Sequence, residues 1–360
     1  MNKLLLKRLS LLVLLPSLFL SGLLQANQNL DQTETTENTL NLSLVISKIN
    51  QLMKAHHYNP EALTLPDYLA TKQKVEQLTQ SKLSKSEFIH AFNAIWQQGP
   101  FSHVRLDHAH QSASQLANYL DTMNVGEQAY SLTWQQGAAI LTINTMMGND
   151  TIAFINKAYS TLVTQQASAL IIDLRNNTGG AFAVKPLVGH LLTSPLDVGG
   201  FVSQQWFNAN ASSPKQADML KPAAWQGWSI KSFWQDVQAA PLTRVQFQPM
   251  LPIFKGPVYV LTSKKTASAA ELAVDALVNL PNVTVIGEPT AGEMLSQIMF
   301  DLPESLQLYL PIADYYSVHS GRIEGVGIKP NIETQANSAF NKALELAKVN
   351  TVRINSDSTN

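Results

Sequence analysis

The chain has 360 residues, a formal net charge of −1 at pH 7 and 14% charged residues. This length allows two or three domains with a large core, and the nearly neutral charge argues against binding to nucleic acid or to an acidic membrane surface. The sequence contains no cysteine, which excludes a disulfide framework, a thiol nucleophile and the lipoprotein type of export signal.

Residues 1–26 are predicted to be a secretory signal. Basic residues near the start precede an apolar run from Leu11 to Leu24, and Ala26 is a small residue at which a signal peptidase can cut. We therefore expect an exported protein, periplasmic or secreted, with no membrane span after cleavage. The alternative is an uncleaved membrane anchor, against which Pro16 and the short apolar run argue.

Two segments precede the predicted core. Residues 27–39 are polar and are predicted to form a flexible leader. Residues 40–124 are predicted to be mostly helical, because Ser84 and Glu87 form a capping-box pattern before an apolar helical face, and Gly99–Pro100 ends that helix.

Alternating strand and helix patterns then predict an α/β core over residues 125–346, in which helices cover a sheet. The run from Ala169 to Leu174 is almost continuously apolar, as expected of a strand buried on both faces. The other predicted strands are Ser131–Trp134, Ala139–Ile143, 257–261 and Val283–Ile286, and the predicted helices are 150–165, 184–192 and 267–280. Residues 347–360 are predicted to be a polar tail.

A tryptophan-rich segment interrupts this alternation at about residues 194–253. It contains four of the six tryptophans of the chain. Two interpretations remain open, a mobile lid or substrate wall and a structural insertion that packs on the core.

Ser268 lies where a predicted strand, residues 258–261, meets a predicted helix that begins near Ala267. Backbone N–H groups in the first turn of a helix have no partner inside the helix. The position therefore suits a nucleophile whose neighbour Ala269 offers its N–H to a developing oxyanion. An ordinary N-capping serine is the alternative.

Three further stretches contain candidate site residues. The buried strand that ends near Asp173 continues into Gly179–Gly180, where glycine permits the close backbone approach that an oxyanion donor requires. The pair Ser102–His103 follows the helix stop at Gly99–Pro100. Glu324 lies among glycines near the end of the core.

Taken together, four motifs resemble the carboxy-terminal processing (tail-specific) peptidase family. They are, in chain order, DLRNNTGG, TASAAE, IGEPTAGE and GRIEGVGIKPN. The resemblance spans roughly residues 128–345. It implies a serine peptidase with a crotonase-like α/β core, Ser268 as the nucleophile, and an oxyanion site made of the Ala269 N–H and the N–H of Gly179 or Gly180.

The resemblance also implies which base activates the serine. Members of one branch use a lysine, but the matching position here is Glu293, which cannot act as a neutral amine. In the other branch, similar to the tricorn protease core, the nisin-resistance peptidases and the interphotoreceptor retinoid-binding protein, a histidine is the base. His103, Ser102 and Glu324 match that branch as a relay. No stretch resembles the PDZ domain that many lysine-type members carry.

Other interpretations of these residues remain open. Lys264 or Lys265 could supply a lysine base, Glu324 could be a solvated loop residue, and His103 could join His108 and His110 in a metal cluster. Adjacent residues of a regular strand point to opposite faces, so Ser102 and His103 can act together only if the backbone there is irregular.

The sequence therefore predicts an exported serine peptidase that hydrolyses peptides or unfolded protein tails through an acyl-enzyme. Its predicted partner is the polypeptide substrate, and no metal ion, cofactor or nucleic acid is expected. The alternative is a non-catalytic binder of apolar ligands built on the same core.

Overall fold

A computed structural model describes the backbone of residues 40–357 and the side chains of residues 40–348. The predicted signal, the predicted leader and the last three residues of the predicted tail lie outside the described residues. From Leu40 onward the chain forms one compact unit, so the predicted amino-terminal helical region packs on the core as part of the same body.

The elements of the described part are numbered here in chain order. The helices are Leu42–His56 (α1), Pro66–Gln77 (α2), Lys85–Trp96 (α3), Ala113–Thr122 (α4), Asn149–Thr164 (α5), Val184–Gly189 (α6), Gln204–Ala209 (α7), Gln216–Met219 (α8), Ile230–Ala239 (α9), Ala269–Leu277 (α10) and Ala336–Asp357 (α11). The strands are Arg105–His108 (β1), Tyr130–Gln135 (β2), Ala138–Ile143 (β3), Ala169–Asp173 (β4), Leu196–Ser203 (β5), Leu242–Phe247 (β6), Val258–Thr262 (β7), Val283–Gly287 (β8), Ser296–Leu302 (β9), Leu306–Ser317 (β10), Gly321–Arg322 (β11) and Ile332–Glu333 (β12). Across residues 40–357, no helix is both long enough and apolar enough to cross a bilayer.

The amino-terminal helices begin where local capping chemistry allows. The predicted capping box of α3 is confirmed: the N–H of Ser84 donates to the Glu87 carboxylate at 2.8 Å, and the N–H of Glu87 donates to Ser84 Oγ at 3.3 Å. The buried face of α1, which includes Val45 and Ile49, packs with Phe92 of α3 against strand β10. These helices therefore cover one face of a sheet.

The first sheet has the strand order β12-β8-β7-β4-β3-β2, in which only β2 and β3 are antiparallel. Side chains alternate along β4: Leu170 and Ile172 pack with α5, α6 and α10 on one face, and Ile171 packs with α11 on the other. Both faces are therefore covered by helices, as the apolar run of this strand predicts. The α/β class predicted from the sequence is confirmed.

The second sheet is antiparallel, with the order β1-β10-β5-β6 and with β9 and β11 also paired to β10. The tryptophan-rich segment supplies β5 and β6, which were not predicted, together with the helices α7, α8 and α9. Trp225 and Trp234 of this segment are 9% and 8% exposed. The segment is thus built into the second sheet and its packing.

Candidate active site

Ser268 occupies a strained turn between β7 and α10. Its φ and ψ are 54° and −123°, whereas N-cap residues normally adopt the β region. Positive φ is uncommon for a residue other than glycine, and such strain is concentrated at functional sites. Ser268 therefore takes the predicted place at the start of the helix, but with a backbone that an ordinary capping serine does not need.

The loop after β4 brings Gly179 against this turn. A Cβ placed on Gly179 would lie 2.6 Å from the Cβ of Ser268 and 3.1 Å from the Ala269 nitrogen. The φ of Gly179 is +98°, which also favours glycine. At Gly180, φ is +137°, and an added Cβ would instead meet Met147 at 2.7 Å. The loop contacts the nucleophile turn through its backbone, and both positions require glycine.

Asn177 holds this loop to the turn, a role that the sequence reasoning missed. Its fully buried side chain accepts the Gly179 N–H at 2.9 Å and donates to the carbonyl of Ile143 at 3.0 Å. Its own backbone carbonyl accepts the N–H of Ala267 at 3.1 Å. The signal in the sequence is a pair of asparagines, Asn176 and Asn177, shortly after a buried strand.

These bonds distinguish the predicted oxyanion donors. The Gly179 N–H is already used by Asn177. Among the hydrogen bonds of residues 40–357, neither the N–H of Gly180 nor that of Ala269 has an acceptor. Both N–H groups are free, and Gly180 directly follows the glycine that contacts Ser268, which favours Gly180 over Gly179 as the second oxyanion donor.

Ser102, His103 and Glu324 form one hydrogen-bonded relay. Ser102 Oγ donates to Glu324 Oε1 at 2.9 Å, and His103 Nδ1 lies 2.8 Å from Ser102 Oγ. Because the single hydroxyl proton is given to the carboxylate, Nδ1 must carry the proton that reaches Ser102. The imidazole is therefore held with Nε2 as the free acceptor, the state that a general base needs.

An irregular backbone makes this relay possible. His103 has a φ of 65°, so Ser102 and His103 do not point to opposite faces as neighbours in a strand would. Ser102 is exposed and His103 half-buried, whereas Glu324 is only 9% exposed. Glu324 Oε2 accepts the N–H groups of Met294 and Leu295 at 2.7 and 3.1 Å, so the carboxylate is held in one place.

The relay and the nucleophile belong to separate groups of hydrogen-bonded residues. Within the described part of the chain, no hydrogen bond joins His103 to Ser268. Catalytic hydrogen bonds are often long without substrate and tighten in the substrate complex.

Lys264 and Lys265, the alternative bases, are exposed. The rings of His108 and His110 lie 6.4 Å apart, and no group of three or more potential ligands in residues 40–348 is arranged to hold a metal ion.

Glu271 is a buried carboxylate at this site that the sequence reasoning did not single out. It is 0% exposed and accepts the Ser268 N–H at 3.0 Å. Burial raises the pKa of Glu271, and its hydrogen bonds oppose that rise. It connects the nucleophile turn to the loop that contains Glu293, whose N–H it accepts at 2.8 Å.

Asp314 and Arg322 lie beside the relay. Arg322 Nε donates to Asp314 Oδ2 at 2.6 Å, and its Nη1 reaches the backbone carbonyl of Glu324 at 3.4 Å. Asp314 is fully buried, and its Oδ1 has no hydrogen-bond partner among the described residues. Burial is the main cause that raises the pKa of Asp314 to about 6, despite the neighbouring Arg322.

This shift predicts a pH-dependent stability. A carboxyl whose folded pKa exceeds its unfolded value contributes stability below about pH 4, which is lost as pH rises to about 6. We expect the free energy of unfolding of wild type, relative to Asp314→Asn, to fall by about 2–3 kcal/mol across that window. Denaturant unfolding of both proteins at pH 4, 5, 6 and 7 measures this difference in the free energy of unfolding. A difference that stays constant with pH would contradict the raised pKa.

Comparison with known proteins gives two curated relatives of particular interest. The chain is 27% identical over 177 residues to the carboxyl-terminal-processing protease of Picosynechococcus, covering 49% of this chain and 34% of that protein. It is 27% identical over 211 residues to the nisin-resistance protein of Lactococcus lactis subsp. lactis, covering 58% of this chain and 59% of that protein. The chain thus spans less than two thirds of the length of either relative.

A solved structure and a family profile extend the comparison. The photosystem II D1 C-terminal processing protease matches 82% of this chain and 94% of its own, with a TM-score of 0.53 and 13% identity, which shows a shared fold. The profile of peptidase family S41 matches residues 137–334, a span that includes Gly179, Ser268 and Glu324 but not His103. Because that span exceeds half of the 360 residues and confirms the family predicted from the motifs, the chain belongs to peptidase family S41.

Proposed function

We propose that this protein is an exported serine peptidase that hydrolyses peptides or unfolded protein tails through an acyl-enzyme, with Ser268 as nucleophile and His103 as base. The observation that carries the proposal is the relay from Glu324 through Ser102 to His103, which leaves Nε2 of the imidazole as a proton acceptor. A surface histidine needs no such fixation. The names of the relatives, a carboxyl-terminal-processing protease and a nisin-resistance protein, support a polypeptide substrate.

The acylation step follows from these groups. Ser268 Oγ attacks the carbonyl carbon of the scissile peptide bond while His103 Nε2 takes the hydroxyl proton. The carbonyl oxygen becomes an oxyanion, which the N–H groups of Ala269 and Gly180 bind. The carbon–nitrogen bond then breaks, and the imidazolium gives its proton to the leaving amine. The products are the free amine segment and an ester on Ser268.

Deacylation repeats these chemical steps with water as the nucleophile. His103 Nε2 removes a proton from water as the water oxygen attacks the ester carbonyl. The same two N–H groups bind the second oxyanion. The bond to Ser268 Oγ breaks, and the proton returns to that oxygen. Throughout both steps Glu324 and Ser102 keep the Nδ1 proton in place and stabilise the imidazolium, the work done by aspartate in the Ser-His-Asp triad.

One experiment tests both activity and export. Protein recovered from the periplasm or medium of cells that express the full chain is treated with a fluorophosphonate and then analysed by mass spectrometry. We expect an adduct on Ser268, loss of turnover of an unfolded peptide in proportion to labelling, and an amino terminus near Asn27. An intact Met1 on the recovered protein would contradict export.

The same recovered protein can also be used to test the alternative function, a non-catalytic binder of apolar ligands. Titration with a fluorescent retinoid or fatty acid is compared with the labelling result. Stoichiometric binding of the apolar ligand, without an adduct on Ser268 and without peptide turnover, would overturn the peptidase proposal.

A further inference from the structure

Glu271 is the acceptor for four donors at the active site. Its Oε2 accepts the N–H groups of Ser268 and Glu293 at 3.0 and 2.8 Å. Its Oε1 accepts Thr290 Oγ1 at 2.6 Å and the N–H of Gly292 at 2.7 Å. Both oxygens are therefore occupied, and each has two donors.

The segment 292–295 connects this carboxylate to the relay. Its four consecutive N–H groups are divided between two buried carboxylates: Gly292 and Glu293 donate to Glu271, and Met294 and Leu295 donate to Glu324. Segment 292–295 thus lies between Glu271, which binds the Ser268 N–H, and Glu324, which binds Ser102.

A second set of bonds makes the connection rigid. Thr290 Oγ1 accepts the N–H of Ile328 at 2.7 Å, so its own proton goes to Glu271. The N–H of Gly325, the residue after Glu324, donates to the carbonyl of Gly292 at 2.8 Å. The segment that follows Glu324 is therefore tied to the loop that surrounds Glu271.

The charge of Glu271 has no cationic partner among the ion pairs of the described side chains. Placing a carboxylate in the interior without a counter-charge is costly, and its four donors and its position in the first turn of α10 offset that cost. A simple helix start needs no buried charge, because an exposed Glu87 caps α3 equally well. The arrangement favours a role at the site over a role in helix formation.

We infer that Glu271 is a positioning residue: through segment 292–295 it fixes Ser268 relative to the Glu324–Ser102–His103 relay. This inference rests on the proposed function. Glu271 touches neither substrate nor the reacting atoms, and it acts by holding the nucleophile turn and the support of the base on one rigid segment. A misplacement of about 1 Å between such groups can lower a rate about a hundredfold.

The test replaces Glu271 by glutamine, which keeps the shape but puts an NH₂ group against two of the donors. We expect kcat on an unfolded peptide to fall about 10- to 100-fold, while KM stays within about threefold. The matched control is Asp275→Asn, one turn further along α10. Asp275 is equally buried but accepts bonds from Tyr315 and Ser317, away from these loops, so its kcat should stay near wild type even if stability falls.

A double variant separates positioning from a general loss of structure. If Glu271 and Glu324 act through one segment, the loss in Glu271→Gln/Glu324→Gln should be smaller than the product of the single losses. The losses of Asp275→Asn and Glu324→Gln should multiply instead. A wild-type kcat in folded Glu271→Gln, or losses that multiply in the double variant, would overturn the inference.

Thr290 provides a second route if Glu271→Gln does not fold. Thr290→Val removes one donor to Glu271, whereas Thr290→Ser keeps the hydroxyl, so kcat should fall in the first variant and recover in the second. Equal kcat in both variants would contradict the inference. Failure of wild type itself to turn over peptide or to label at Ser268 would instead count against the proposed function.

Discussion

Ser268→Ala and His103→Ala are expected to lower kcat on an unfolded peptide to similar residual values, about 10⁴-fold or more below wild type. The serine hydroxyl is a weak nucleophile until a base removes its proton, so either change abolishes the same step. The double variant should lose little more than either single variant, because the two residues act as one unit. Single-turnover kinetics on the purified full chain measure all three.

Controls for this result come from the relay and from the nearby lysines. Glu324→Gln should be impaired less than His103→Ala, because Glu324 only orients and stabilises the base. Lys264→Ala and Lys265→Ala should keep wild-type turnover, since both side chains are exposed. A wild-type rate in His103→Ala together with an inactive lysine variant would show that the base is a lysine.

Removing the backbone N–H at position 180 or 269 is expected to lower kcat about a hundredfold in each case. Incorporation of glycolic acid for Gly180, or of lactic acid for Ala269, replaces the N–H by an oxygen and keeps the side chain. The donors contact the oxyanion, which exists only after the attack, so KM should change far less than kcat. Side-chain substitutions are less informative, because a Cβ at position 179 would collide with Ser268 itself.

Glycolic acid at position 179 is the matched control. That N–H donates to Asn177, so its loss should lower the melting temperature and leave kcat of the folded protein nearer to wild type. If the ester at 179 causes the hundredfold loss and the ester at 180 does not, Gly179 is the oxyanion donor and the assignment made from the free N–H is wrong.

Much of the first sheet could be predicted from the sequence, because its strands are short apolar runs and its helices have clear starts. Ala169–Asp173 is such a strand, and Ala269–Leu277 is such a helix, which starts at the join after β7. The second sheet could not be predicted in this way. Strands β1 and β5 pair with β10 across more than 100 residues of chain, and β5 and β6 lie in a segment whose tryptophans dominate the pattern. Pairing of that kind depends on tertiary contacts rather than on local preference.

The candidate site divides in a similar way. Ser268, Ala269 and Gly179–Gly180 could be located from the join of a buried strand to a turn, a local pattern. The bond of Ser102 to Glu324 joins residues 222 positions apart, and the positive φ of His103 has no local signal, so the sequence alone offered only a resemblance for them. Glu271 was overlooked because a glutamate at the third position of a helix matches an ordinary capping box.

The pairing of β1 with β10 has a consequence for the order in which the molecule forms. The strand that follows His103 pairs with β10, and Arg105 lies opposite Tyr309, about 200 residues later. The entropic cost of closing this loop must be met before the contacts between the two strands can form. The nucleophile turn is closed by neighbours between residues 173 and 293, so it can form from a shorter stretch of chain. The general base, in contrast, gains its strand partner β10 and its contact with Glu324 through Ser102 only when the last sixth of the polypeptide has joined the fold.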